Sequence, residues 1–189
     1  IADEIAVGFG RTGTMFACEQ AAAKVSDIAD FICLSKGITG GYLPLSAVLT
    51  SDPIYQAFYD EHTVKGFLHS HSYTGNPLAC SAALATLGIF ADDAVLEKNR
   101  GLADYIKSQA SSLAELPIQH LRQQGMILAM DVVDTKPGFA QRCYAEALKQ
   151  GLLLRPIGNT VYLMPPYSIS HEEVNFMLTA THQAIRLAL

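Results

Sequence analysis

Residues 31–41 read Phe31-Ile32-Cys33-Leu34-Ser35-Lys36-Gly37-Ile38-Thr39-Gly40-Gly41, which sets one lysine at the end of an apolar strand. Four consecutive apolar residues, Phe31 to Leu34, suit a strand covered on both faces in an α/β sheet. Three glycines within five residues of Lys36 let the backbone turn tightly and approach a ligand closely. A lysine held there is expected to be partly desolvated, which disfavours its ammonium form and favours the neutral amine that forms Schiff bases. The competing reading is a lysine that snorkels from the strand end into solvent.

A second constellation lies upstream. Ile1-Ala2-Asp3-Glu4-Ile5 reads as a strand end with two acids, followed by the loop Gly8-Phe9-Gly10-Arg11-Thr12-Gly13. In doubly wound sheets the ligand crevice lies outside the carboxyl ends of the strands, so an acid and a lysine on two such ends can face one ligand. Otherwise an Asp-Glu pair there is a solvated turn. The loop lacks both the GxGxxG spacing and the Lys-Ser/Thr of a P-loop, so it is not a nucleotide fingerprint and a generic Rossmann-type domain is disfavoured.

Three stretches, ADEIAVGFGRTG at 2–13, ICLSKGITGG at 32–41 and HSHSYTGNPLACSAAL at 69–84, follow in order. Together they resemble the class III pyridoxal-phosphate aminotransferases. Within that group, LLLRPIGNTVYLMPPY at 152–167 resembles the members that form 7,8-diaminopelargonate in biotin synthesis. The resemblance implies an α/β protein of the pyridoxal-phosphate transferase fold type I. Residues 1–95 would be the C-terminal part of the large parallel or mixed-sheet domain, and 96–189 a smaller α+β domain. It also implies the cofactor pyridoxal 5'-phosphate, bound as a Schiff base to Lys36, which then serves as general base. Asp3 would pair with the pyridinium nitrogen, and Ser72, where the family has Thr, would reach the phosphate held by the neighbouring subunit of a homodimer. Arg155 would bind the substrate carboxylate with Tyr162 nearby. The implied substrates are S-adenosylmethionine as amino donor and 7-keto-8-aminopelargonate as acceptor. Two alternatives stay open: another class III ω-aminotransferase using ornithine, 4-aminobutyrate or a polyamine with 2-oxoglutarate, and a non-catalytic fragment.

The chain has 189 residues, 50% hydrophobic and 16% charged, enough to bury a sizeable core and too apolar for disorder. Its net charge of −5 with scattered Lys and Arg argues against nucleic acid as a partner. No run reaches membrane-spanning length and no signal peptide is evident, so a cytoplasmic location is expected. The lack of an initiating Met and the opening inside a strand lead us to expect the second half of a longer protein. The four cysteines Cys18, Cys33, Cys80 and Cys143 are far apart among apolar neighbours and read as reduced core thiols. His69 and His71 form an HxH pair without further ligands at suitable spacing, so no metal site is expected.

Along the chain, 16–24 is rich in helix formers and predicts a helix. Asp27 and Asp30 mark the turn into the lysine strand. Residues 45–50 predict a short buried strand, and Asp52 with Pro53 predicts a helix through about Tyr59 with Asp52 as cap. Residues 60–66 form a polar loop, and Asn76-Pro77 opens a helix through Phe90 whose composition predicts burial on most sides. Apolar residues at Leu96, Leu102, Ile106, Ala110 and Leu113 predict an amphipathic helix over 94–116. Strands are expected at 118–122, 126–133, 152–155 and 160–163, and a helix at 138–150. Ser170 and Glu173 form a capping-box pattern before a last helix with a stripe at Val174, Met177, Leu178, Thr181, Ile185 and Ala188. Arg155, after three leucines, is shaped to grip a carboxylate with two hydrogen bonds; its other reading is a surface ion pair within its own domain.

Overall fold

A computed structural model describes residues 1–22, 24, 27 and 29–189. The chain divides into two compact units, Ile1–Leu96 and Glu97–Leu189. Among the described residues no single helix is long and apolar enough to cross a membrane.

In the first unit, β1 (Ala2–Asp3), β2 (Phe31–Leu34) and β3 (Ala47–Thr50) form a mixed sheet in the order β1-β2-β3. β1 runs parallel to β2 with Asp3 opposite Cys33, and β2 runs antiparallel to β3 with Leu34 opposite Ala47. Two helices follow, α1 (Asp52–Phe58) and α2 (Pro77–Asp92). A small core gathers Phe9, Leu34, Ile38 and Ala83, with Met15, Phe16, Ile32 and Phe90 packed against it. The side-chain oxygen of Asn76 accepts the N–H groups of Leu78 and Ala79 at 3.0 and 3.1 Å, and Pro77 presets the first turn of α2.

Several expectations for this unit are corrected. The helix over 16–24 is a 3-10 turn of four residues, Ala17–Gln20, with none of them buried; residue 23 lies outside the described residues. Helix propensity alone does not sustain a short helix that has no apolar face to pack. On β2 only Leu34 is buried, and β3, expected to be buried, leaves Val48 63% exposed because it forms the sheet edge with few side chains above it. The N-cap of α1 is Ser51, with Asp52 the first helical residue. α2 buries only the Ala79, Ala83 and Thr86 stripe, while Leu78, Leu84, Leu87 and Ile89 are exposed. Small residues face the core there because Gly40 and the lysine turn press close: a Cβ on Gly40 would lie 3.5 Å from the Thr86 hydroxyl.

The second unit is an α+β sandwich. β4 (Ile118–Gln124), β5 (Ile127–Val132) and β6 (Thr160–Leu163) form an antiparallel sheet in the order β4-β5-β6. Alternate residues Leu128, Met130 and Val132 on β5, and Val161 and Leu163 on β6, point into one core, the period of two expected when a single face is covered. Helices α3 (Val95–Gln109), α4 (Phe139–Lys149) and α5 (His171–Ala188) supply the other side through Ile106, Cys143, Ala147, Val174 and Ile185. α3 tightens into a 3-10 helix over Ala110–Glu115, keeping Leu113 buried. Removing a large side chain from this core, such as Ile185, costs about 2–5 kcal/mol. The expected stripe of α5 is buried at all six positions.

Residues 152–155 form no strand. Pro156 directly after the segment has no N–H to donate to a ladder. Leu154 is nonetheless buried in the core, which fixes the segment by packing. Of the cysteines only Cys143 is a core thiol; Cys18, Cys33 and Cys80 are half-buried.

Candidate active site

The first unit brings Asp3 and Lys36 to neighbouring strand ends. Asp3 stands in parallel register with Cys33, the Glu4 N–H donates to the Cys33 carbonyl at 3.0 Å, and Lys36 follows three residues later. The two acids at the end of β1 differ in burial. Asp3 is exposed and accepts the Ile5 N–H at 3.0 Å. Glu4 is only 2% exposed and accepts the N–H groups of Ala17 and Cys18 at 2.9 and 2.8 Å. The pair is therefore not a solvated turn, and Glu4 is a residue whose anchoring role the sequence did not show.

Lys36 opens a 3-10 turn, Lys36–Thr39, with φ 45 in the left-handed region. A side chain with a Cβ pays roughly 1–2 kcal/mol for that conformation. Its ammonium makes no hydrogen bond or ion pair with the described residues. It is also exposed, so the desolvation expected from the strand end is not supplied by this chain's own neighbours: the turn carries the residue out past the end of β2. The Ser35 hydroxyl donates to the Leu45 carbonyl at 2.8 Å, and the Thr39 hydroxyl donates to the Leu43 carbonyl at 2.6 Å, tying both ends of the turn to the following loop.

Ser72 lies exposed in the turn that precedes α2, and its hydroxyl makes no hydrogen bond with the described residues. Thr74 in the same turn is engaged, accepting the His71 N–H at 3.1 Å. Residues His71 and Tyr73 on either side of Ser72 line a cleft of about 430 Å³ with Ser35, the residue before Lys36.

The second unit brings Arg155 and Tyr162 together. Both line a cavity of about 530 Å³ whose walls include Leu154, Pro165, Phe176 and Met177. Arg155 is exposed and has no ion pair with the described residues, so the surface-pair reading does not hold. Glu173 also lines this cavity, but it is committed elsewhere: its carboxylate accepts the Ser170 N–H at 2.8 Å, which holds its carboxyl below the usual range. The cavity thus pairs apolar walls with one guanidinium whose donors are open, a setting suited to a carboxylate on an apolar chain.

The chain belongs to the class III aminotransferases: the model of the family, Aminotransferase class-III, matches residues 1–185. These are pyridoxal-phosphate enzymes, and the fold is that of their fold type I. A curated relative from Helicobacter pylori, an adenosylmethionine-8-amino-7-oxononanoate aminotransferase, is 52% identical over 92% of this chain and 41% of its own length. A protein of the same name from Methanocaldococcus jannaschii is 40% identical over 100% of this chain and 43% of its own. The crystal structure of a Methanocaldococcus jannaschii protein of that name superimposes with a TM-score of 0.89 at 39% identity, covering 97% of this chain and 44% of that one. A Bacillus anthracis aminotransferase superimposes with a TM-score of 0.88 at 28% identity, covering 97% and 44%. The chain therefore spans less than half the length of these relatives.

Proposed function

We propose that the chain carries part of the active site of a cytoplasmic, homodimeric aminotransferase that moves an amino group from S-adenosylmethionine to 7-keto-8-aminopelargonate, giving 7,8-diaminopelargonate. The observation that supports this most is the placement of Lys36, in a strained conformation, exposed and without a hydrogen bond or ion pair to the described residues, just past the end of the strand that pairs with the one carrying Asp3. A lysine without a structural task in a costly conformation fits a reactive amine better than a surface cation. The exposed carboxylate of Asp3 and the Ser72 hydroxyl, which makes no hydrogen bond with the described residues, fit a cofactor with a basic ring nitrogen and a phosphate.

Pyridoxal phosphate, when bound, supplies the electron sink that lets a substrate proton leave from carbon. The Lys36 Nζ is the amine that would hold it and, once released, the base that accepts and returns that proton. Asp3 would keep the ring nitrogen protonated, and Ser72 would donate to the phosphate in the neighbouring subunit. Arg155 would orient a substrate through its carboxylate, with Tyr162 closing the same cavity. The names of the relatives, each at 40–52% identity, support the substrate pair.

The test is reduction with borohydride after mixing with pyridoxal phosphate, followed by peptide mapping, on the wild type and Lys36→Ala. Label on the Lys36 peptide alone, lost in the variant, is expected. Label spread over other lysines, unchanged in the variant, would overturn the assignment. A donor assay then compares S-adenosylmethionine with ornithine, 4-aminobutyrate and polyamines, and preference for one of the latter would move the protein to another branch of the family.

A further inference from the structure

We infer that Phe9 is a positioning residue for Lys36: packed directly on Gly37, it holds Lys36 in its left-handed conformation and so sets the direction in which Nζ leaves the strand end. This rests on the reading of Lys36 as the reactive amine.

Two bulky residues with positive φ meet here, Phe9 at φ 56 and Lys36 at φ 45. Such conformations persist only when the surroundings over-determine them. For Phe9 the cause is visible: it is 3% exposed, its ring meets Phe16 edge-on at 5.8 Å and Phe90 at 6.3 Å, and it shares a core with Leu34, Ile38 and Ala83. Its loop is also tied at the base, where the Gly8 N–H donates to the Glu4 carbonyl at 2.9 Å.

That fixed ring confines the lysine turn. A Cβ built on Gly37 would lie 2.9 Å from both Cβ and Cδ2 of Phe9, closer than side-chain carbons pack. Gly37 is not among the positive-φ glycines, so the glycine is required for room and not for conformation. Lys36 then stands between Leu34 and Ile38, both buried in the Phe9 core, while the Ile38 N–H donates to the Ser35 carbonyl at 3.1 Å. With both flanks anchored and the backbone of Gly37 pressed on the ring, the chain closes its turn through a positive φ at Lys36. The loop that begins at Asp3 thereby orients both members of the candidate pair.

The experiment uses Phe9→Leu, Gly37→Ala and the control Phe90→Leu, which thins the same core but is not among the atoms nearest a Cβ on Gly37. The one-bond Cα–Hα coupling of Lys36 by NMR, without cofactor, reports the sign of its φ. A change to the negative-φ value is expected in Phe9→Leu and Gly37→Ala, and no change in Phe90→Leu. Borohydride-trapped capture of pyridoxal phosphate at Lys36 should slow by about tenfold or more in the first two variants, as misplacement of a reacting group does, and little in the third. An unchanged coupling in both Phe9→Leu and Gly37→Ala overturns the inference, as does an equal change in all three. Wild-type protein that captures no pyridoxal phosphate on Lys36 would refute the proposed function, and the coupling would still decide the role of Phe9.

Discussion

The Glu4 carboxylate, buried beneath its loop, accepts the Cys18 N–H at 2.8 Å across fourteen residues of chain. Together with the bond from Ala17 it satisfies two amides at the start of the 3-10 turn that helix bonding leaves open. Hydrogen bonds to a charged acceptor contribute about 1.5–3 kcal/mol, and truncating the acceptor strands both donors. Glu4→Ala should therefore lower unfolding stability by about 2–3 kcal/mol, read by urea denaturation, and Glu4→Gln by less because one oxygen still accepts. Equal stability of wild type and Glu4→Ala would show that these bonds contribute nothing net.

α5 shows what was legible in the sequence. The Ser170 hydroxyl accepts the Glu173 N–H at 3.2 Å while the Glu173 carboxylate accepts the Ser170 N–H at 2.8 Å, so both halves of the expected capping box form. Ser170→Ala should cost about 1 kcal/mol, seen as a lower melting temperature with unchanged helix content at 25 °C.

Local rules of this kind depend on neighbours in sequence, and they hold at the caps of α2 and α5 and in the α5 stripe, although the cap of α1 lies one residue earlier than expected, at Ser51. What depends on distant chain does not follow from them. The composition of α2 reads as buried on most sides, yet only the Ala79, Ala83 and Thr86 stripe is buried. Residues 152–155 have strand composition, yet they join neither edge of the β4-β5-β6 sheet and are held by the burial of Leu154 in the core. The identity of Lys36 and Asp3 could be picked out from residue type and position. The strain at Lys36 and its dependence on Phe9 could not, since no periodicity records which residue rests on Gly37.

Asp131 sits on the outward face of the second sheet. It accepts from the Thr160 hydroxyl at 2.8 Å, from Arg122 at 3.1 Å and lies 3.1 Å from His120 Nδ1. These bonds, Thr160 first, hold its carboxyl down at about 2. A carboxylate with a depressed folded value adds stability above its ordinary value of 3.8 and loses it as pH falls through about 2. Asp131→Asn should thus destabilise the protein at neutral pH and flatten the loss of stability between pH 4 and 2. Parallel stability–pH curves for wild type and variant over that window would contradict this.

Cys143 on α4 is fully buried, and desolvation alone pushes its thiol up to about 11. A raised folded value means that its contribution to stability is intact below the ordinary 9.0 and fades as pH rises through about 11. At pH 8, iodoacetamide should label Cys18, Cys33 and Cys80 before Cys143, and label Cys143 at the rate of unfolding. Labelling of Cys143 as fast as of the half-buried thiols would show that the core opens locally.

Arg155 offers the sharpest test of the cavity in the second unit. Its neighbours there are apolar apart from Tyr162, Ser168 and the already engaged Glu173, so a carboxylate entering the cavity finds the guanidinium as its partner. A guanidinium makes two parallel bonds to a carboxylate, whereas an ammonium offers a point charge with different reach. In the active enzyme, Arg155→Lys should lower kcat/KM about tenfold and Arg155→Ala about a hundredfold, chiefly through KM, on the scale of lost charged hydrogen bonds. A carboxylate-free amine donor should be indifferent to both changes. If such a donor loses as much as a carboxylate-bearing one, Arg155 acts through the fold of the 152–155 segment and not through substrate.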